Sequence, residues 1–327
     1  MRTFLLLGFS CLFLLVGGNA RAEDRAPEWA YPVNPPGFKL PPDDGQPRRV
    51  PGSSVSYSVA QTRDFFFAPD WHPTDHRPLP AIVAQGRKPD VFACGFCHRA
   101  DGPGGPENAS LAGLSAGYIK QQMADFKSGV RKTSVPERGP PRLMIALAKA
   151  ASDEEVRISA EYFAAQKPRA TIKVVETDTV PKTYVAGWFL ADAKSGEREP
   201  LGNRIIEIPE ELAQFENRDA RSRFIAYVPV GSIKRGRELV ARGVNGGGTQ
   251  CAGCHGPGLG GVGDIPAIAG RSPSYTVRQL HDFKSGARAG SASELMKAVV
   301  EKLTTDDMIA LSAYAASLPP DGGAPKK

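Results

Sequence analysis

The chain opens on unbroken apolarity and does not return to it. Behind Met1-Arg2-Thr3 runs an apolar stretch from Phe4 to Val16, which closes on Ala20-Arg21-Ala22. A basic start, a short apolar core and a small-x-small end predict a secretory signal peptide over residues 1–22, cleaved after Ala22. The run is too short to span a bilayer comfortably as an anchor, and no plausible lipobox follows Cys11 inside it. Over residues 23–76 the patterning dissolves. Tyr31-Pro32, Pro35-Pro36 and Pro41-Pro42 predict an extended, proline-rich arm with little regular structure. Its later part, Asp64-Phe65-Phe66-Phe67-Ala68-Pro69-Asp70-Trp71-His72, is too aromatic for a free tail and is expected to pack on the first domain.

Helical periodicity then appears in two sets. Residues 79–86 and 232–243 read as first helices, the second with Ile233, Leu239 and Val240 on one face. Residues 116–127 and 274–284 read as middle helices that bury Tyr118, Met123 and Phe126 or Tyr275, Leu280 and Phe283. The last helix opens with a capping signal, Ser152-Asp153-Glu154-Glu155 or Thr304-Thr305-Asp306-Asp307. Its apolar stripe is Val156, Ile158, Tyr162 and Phe163, or Met308, Leu311, Tyr314 and Leu318, and Pro168 and Pro319 mark the exits. Between the sets lie short β-rich runs at 171–175, 184–190, 204–208 and 224–228, with Lys194-Ser195-Gly196-Glu197 as a turn signal. The expected fold is therefore mainly α. Helical domains at 77–168 and 230–320 are joined by a small antiparallel β insert at 169–229, and a tail at 321–327 ends the chain. The insert serves either as a spacer between the domains or as a docking surface.

The two helical sets are copies of one design. Sliding the chain so that His98 lies on His255 also lays Gly86 on Gly243, Gly113 on Gly270 and Tyr118 on Tyr275. It lays Asp125-Phe126-Lys127-Ser128-Gly129 on Asp282-Phe283-Lys284-Ser285-Gly286. The first copy then carries extra residues; beyond them Met144 falls on Met296, Ser152 on Thr304 and Tyr162 on Tyr314. Each copy contains one pentapeptide, Cys94-Gly95-Phe96-Cys97-His98 or Cys251-Ala252-Gly253-Cys254-His255. This Cys-x-x-Cys-His spacing is the pattern for covalent haem attachment. Two thiols one helical turn apart can add to the two vinyl groups on one porphyrin edge, and the His that follows can offer its imidazole to the iron. A zinc site would need both pairs on one metal and would leave each His unexplained. A redox dithiol would need one pair beside a βαβ pattern. Two covalently bound haem c groups are expected, held by Cys94, Cys97 and His98 and by Cys251, Cys254 and His255.

An electron carrier closes the remaining iron position, usually with Met or a second His. Beyond Met1 the methionines are Met123, Met144, Met296 and Met308. Met123 lies opposite Leu280 and, like Met308, sits in an apolar helical stripe, so both are expected in the core. Met144 and Met296 are the pair that superpose, each at the same distance ahead of the last helix, and are the expected sixth ligands. His72 and His76 are expected in surface or hydrogen-bonded roles, and His281, opposite Ala124, on an exposed helix face.

With these features the chain resembles the class I c-type cytochromes, specifically their tandem dihaem members, over roughly residues 77–168 and 230–320. In that family a backbone carbonyl of a Pro-x-Leu-Ala-Gly loop fixes the proximal His. The second copy has Pro266-Ala267-Ile268-Ala269-Gly270; the first has Ala109-Ser110-Leu111-Ala112-Gly113, without the proline. The family's first-helix glycine is Gly236 in the second copy and is replaced by Leu79 in the first. The arm and the insert fall outside the resemblance and inherit no function from it.

Charge changes this picture little. The formal +6 includes Arg2 and Arg21, and the propionates of two haems bring the holoprotein nearer neutral. Nothing resembles a basic recognition helix, so nucleic-acid binding is not implied. Lys127, Arg131, Lys132, Lys284 and Arg288 read either as basic rims for an acidic partner or as a solvated charged face. The expected function is that of a periplasmic electron carrier between redox partner proteins, a dehydrogenase or terminal oxidase among them, without a transmembrane segment in the mature chain. One alternative is a dihaem peroxidase-like enzyme, which needs an open iron and acid–base residues above it. Another is a cytochrome subunit docked on a dehydrogenase through the arm and insert. The intact mass of the denatured mature protein is expected to show two attached haems and no free thiol. A single haem, or a disulfide, refutes the assignment of both motifs.

Overall fold

The computed structural model describes residues 25–243 and 250–323. The expected signal segment 1–22, with Cys11, lies outside the described residues, as does the end of the tail. In the arm, helix α1 (Val59–Arg63) opens on a capping box in which Ser58 and Gln61 satisfy each other's backbone N–H groups. The first domain contains α2 (Ala81–Ala84), α3 (Cys94–His98), α4 (Ala116–Ser128), α5 (Gly139–Ala150) and α6 (Asp153–Ala164). The helix expected over 79–86 is the single turn α2. Pro78 and Pro80 supply no N–H to extend it upstream, and Gly86, at φ 65°, turns the chain away below it. The Ser152 capping box opens α6 as its sequence predicts. Around these helices Val83, Ile119, Tyr162 and Phe163 form one apolar core.

In the second domain, α8 (Ser232–Arg242), α9 (Cys251–His255), α10 (Pro273–Lys284), α11 (Glu294–Val300) and α12 (Thr305–Ser317) repeat the arrangement. Leu259, Phe283, Val300, Leu303 and Met308 lie in its core. Helices α8 and α12 approach so closely at Gly236 that a Cβ there would collide with the Ala310 carbonyl and the Tyr314 Cβ. In the first domain the single turn α2 is all that packs against α6 in this place.

The insert contains β1 (Ile172–Glu176), β2 (Thr179–Pro181), β3 (Thr183–Val185), β4 (Leu190–Asp192), β5 (Arg198–Pro200), β6 (Ile206–Pro209), helix α7 (Leu212–Glu216) and β7 (Phe224–Val228). Pairs β2–β5, β3–β4 and β6–β7 are antiparallel, whereas β1 lies parallel to β7 with Val174 opposite Ala226. The insert is tied to the second domain by Glu207, whose carboxylate accepts hydrogen bonds from Ser272 Oγ at 2.6 Å and Ser274 N–H at 3.2 Å.

The arm runs across the whole molecule. Ala30 and Tyr31 are buried against Val277, Ile309 and Ala313 of the second domain, and Tyr31 donates to Asp282 at 2.9 Å. His281, expected to be exposed, is only 5% exposed, because Tyr31 and Ser134 pack over it. The aromatic end of the arm reaches the first domain and the insert. Trp71 Nε1 donates to the Asn217 carbonyl at 2.8 Å, and the His72 ring meets the Asp219 carboxylate at 3.1 Å. His76 lies 3.1 Å from Asp70 and 3.2 Å from the Tyr162 hydroxyl. Asp75 then joins the arm to both ends of the insert, accepting from Arg221 at 2.7 Å and 2.8 Å and from Arg169 at 3.0 Å.

Two stability predictions follow from these contacts. Gly236→Ala is expected to lower the stability of the second domain by about 1–3 kcal/mol in denaturant unfolding, because two helix backbones must part to admit the methyl. The hydrogen bond from Arg221, helped by the charge of Arg169, holds the Asp75 carboxyl down to about 2, against an ordinary 3.8. Its ionised form therefore stabilises the fold above pH 3.8, and that contribution is lost as pH falls toward 2. The stability gap between the wild type and Asp75→Asn should be constant near neutrality and close over that acid window. A gap independent of pH would show that the ion pair is not its source.

Candidate functional site

Helices α3 and α9 are single turns, so the two cysteines of each lie on one side and the His follows on the next step. Directly after the His, the chain enters the left-handed region, at Arg99 (φ 69°) and at Gly256 (φ 77°). It then folds back under the imidazole: Gly104 N–H donates to the His98 carbonyl at 3.1 Å, and Gly261 N–H to the His255 carbonyl at 2.7 Å. This reversal brings a second carbonyl to each ring. His98 Nδ1 lies 2.8 Å from the Ala109 carbonyl, and His255 Nδ1 lies 2.8 Å from the Pro266 carbonyl. With Nδ1 protonated and donating, Nε2 keeps its lone pair. The first copy reaches the same distance without the proline.

Burial sets the protonation of the site. It pushes the His98 imidazole down to about 4 and lowers that of His255, which keeps both rings neutral. It pushes the Cys94 thiol up to about 12 and raises Cys97 and Cys251, so these sulfurs lack the thiolate character of a redox dithiol.

All eight candidate residues, Cys94, Cys97, His98, Met144, Cys251, Cys254, His255 and Met296, line one continuous cavity of about 1290 Å³. Met144 is carried by α5 and Met296 by α11, two helices that the sequence patterning does not predict. Met123 lines the cavity as well. Met308, only 3% exposed, is packed in the core of the second domain. Two thiol pairs, two imidazoles with Nδ1 already engaged and a large shared cavity fit a pair of covalently held haems.

Between the motifs the structure places a network that sequence reasoning assigned to the surface. Arg131 and Arg288, expected on basic rims, are 7% and 8% exposed and meet at the boundary of the two domains. Arg131 donates to Gln122 of its own domain at 2.8 Å and to Tyr275 and Gln279 of the other, each at 3.0 Å. Arg288 mirrors it, donating to Gln279 at 3.0 Å, to Tyr118 at 2.9 Å and to Gln122 at 2.7 Å. Each guanidinium also lies over a phenylalanine of its own domain, Arg131 at 4.4 Å from the Phe126 centroid and Arg288 at 4.2 Å from that of Phe283. Backbone bonds from Lys132 to Ala287 (2.7 Å) and from Ala289 to Val130 (2.9 Å) complete a pseudo-twofold junction. The signal was available in the repeat, since the slide that lays Tyr118 on Tyr275 also lays Gln122 on Gln279 and Arg131 on Arg288.

Known proteins agree with this geometry. A family model described as cytochrome c matches residues 233–319. The chain is 26% identical to a Stutzerimonas stutzeri protein named thiosulfate dehydrogenase electron acceptor, over 71% of this chain and 82% of that one. It is 27% identical to cytochrome c4 of Azotobacter vinelandii, over 74% of this chain and 91% of that one. It is 33% identical to cytochrome c-554(548) of Halomonas halodenitrificans, over 24% of this chain and 88% of that one. Two copies of one helical unit, each with its attachment turn and carbonyl-held imidazole, make the same statement as these likenesses: the chain belongs to the tandem dihaem class I c-type cytochromes, electron-transfer proteins with covalently bound haem c.

Proposed function

We propose that this protein carries single electrons in the periplasm through two haems with His/Met ligation. In this reading Cys94 and Cys97, and Cys251 and Cys254, form the thioether links. His98 with Met144, and His255 with Met296, would hold the two irons. When bound, each haem supplies a one-electron ferrous–ferric couple. The chain's own residues exclude water, hold the ligands and orient them. The Ala109 and Pro266 carbonyls fix the imidazoles, while α5 and α11 carry the thioethers into the cavity. The carrying observation is this correspondence: each attachment turn shares the cavity with a methionine from the same place in the repeat. Matched thioethers also speak against a peroxidase-like enzyme, which needs one iron open.

Export rests on the signal pattern of residues 1–22 and on the fact that no helix among the described residues is long and apolar enough to cross a membrane. A dehydrogenase is the proposed electron donor, by analogy with the relative named as an electron acceptor of thiosulfate dehydrogenase. A second reading, a cytochrome subunit held on such an enzyme, is favoured by the arm and insert, which the attachment chemistry does not require. Co-purification from periplasmic extract separates the two readings.

The ligands are tested by the weak far-red charge-transfer band of thioether coordination. Met144→Ala and Met296→Ala are each expected to remove roughly half of that band and to open one iron to external ligands, with covalent haem content unchanged. The unmutated protein is expected to resist carbon monoxide at both irons. If Met123→Ala removes the band and Met144→Ala does not, the ligand of the first domain is misassigned. If the unmutated protein binds carbon monoxide at one haem, the carrier reading fails.

A further inference from the structure

The helices that carry the two methionines are held in different ways. Met296 packs on the apolar core of its own domain, and Val300, one turn further along α11, is buried in that core. The first-domain core takes in α5 near its C-terminal end, at Leu147 and Ala150. Among the described residues, Met144 is not one of the side chains packed on that core. The start of the helix is buried nonetheless, at Gly139 and Pro140. It has no side-chain cap, and Pro140 and Pro141 bring no N–H to tie it down.

The insert supplies the cover. A Cβ on Gly139 would collide with Cζ2 and Cε2 of Trp188, so the indole fills the place that a side chain would take. Arg138, just ahead of the helix, donates from its guanidinium to the Trp188 carbonyl at 3.1 Å. Trp188 N–H in turn donates to the Asn34 side chain of the arm at 2.8 Å. The backbone that makes these contacts is an unfavourable one. Strands β3 and β4 are joined through Ala186-Gly187-Trp188-Phe189, in which Gly187 has φ 70° and Trp188 φ 72°. Hairpin tips with two such residues take Gly or Asn, because a Cβ is strained in the left-handed region. An aromatic residue there costs stability that the turn itself does not return. Its ring and its carbonyl both serve α5.

Resting on the reading of Met144 as a haem ligand, we propose that Trp188 is a positioning residue for that ligand. The insert braces the start of α5, so that the Met144 thioether stays presented to the iron of the first haem. Met144 follows Gly139 by little more than one helical turn, so a shift of the first turn is carried to its side chain. Trp188, Pro140, Leu143 and Met144 all line the haem cavity. The second domain needs no such brace, because Met296 already rests on its own core. The insert thereby becomes part of the first haem site.

The test is the rate at which cyanide binds the oxidised holoprotein, because cyanide takes the iron position that a departing thioether leaves. Trp188→Gly removes the indole and at the same time relieves the turn, so it tests the brace without straining the hairpin. It is expected to speed binding roughly tenfold in one half of the absorbance change, the factor that about 1.4 kcal/mol of lost support gives, and to leave the other half unchanged. No acceleration, or equal acceleration of both halves, overturns the proposal. Gly139→Ala presses on the indole from the other side and should speed the same half. It is judged by the same two outcomes if Trp188→Gly fails to mature. With Met144→Ala in place, Trp188→Gly should add nothing. Further acceleration of that half would mean that the ring acts on something other than the thioether, which also overturns the proposal. If Met144→Ala alone speeds neither half, the ligand reading itself has failed. That result is obtained with Trp188 untouched, so the two failures are told apart.

Discussion

An imidazole presents one nitrogen to a metal in a fixed direction only when its other nitrogen is held. That constraint governs more of this molecule than any other. It requires a carbonyl on the far side of each His, and so a chain that reverses directly after the attachment turn. The left-handed step at Arg99 or Gly256 makes the reversal, and the bonds from Gly104 and Gly261 lock it. The two copies satisfy the requirement with different sequences. Where Pro266 stiffens one loop, Ala109 serves in the other, because only a carbonyl oxygen is demanded at that point and every residue has one. Helices α4 and α10, starting just past these loops, then close the cavity behind the rings.

The junction of the two domains is built from a single half-interface used twice. Buried guanidiniums are costly unless their N–H groups find acceptors. Here each Arg takes a Gln from its own domain, and a Tyr and a Gln from the other. Both amide oxygens are shared between the two cations. Neither domain alone supplies all the acceptors that the terminal nitrogens of its arginine use, so docking is what answers them, while Arg288 Nε stays buried without a partner. Each guanidinium lies over a ring of its own domain, Phe126 or Phe283, while it donates across the boundary.

What the sequence displayed and what it hid divide along a physical line. The attachment turns, the capping boxes at Ser152 and Thr304 and the middle helices are local matters of spacing and hydrogen bonding, and they stand where the sequence puts them. Helices α5 and α11 were invisible. The first opens on Gly139-Pro140-Pro141, which reads as a turn, and the second is only two turns long. The pairing of β1 with β7 is not legible because four strands in nested pairs, then β6 and α7, lie between them in the chain. Arg131, Arg288 and His281 look like surface residues in the sequence because their partners belong to another domain or to the arm. Sequence patterning reports which face of a helix is apolar, but not which polar side chain a distant element will cover.

The course of Tyr31 has a consequence for how the molecule is assembled. The start of the described chain docks on Val277, Ile309 and Ala313, residues from nearly the other end. In a chain made from its N-terminus these residues precede their binding surface, which exists only once the last helix, α12, has packed on α10. The arm must therefore stay open through the maturation of both helical units and close last. Contacts of such long sequence separation form late because the loop they close is large. The arm's closure thus coincides with completion of the fold, and a chain truncated before α12 would leave its own beginning undocked.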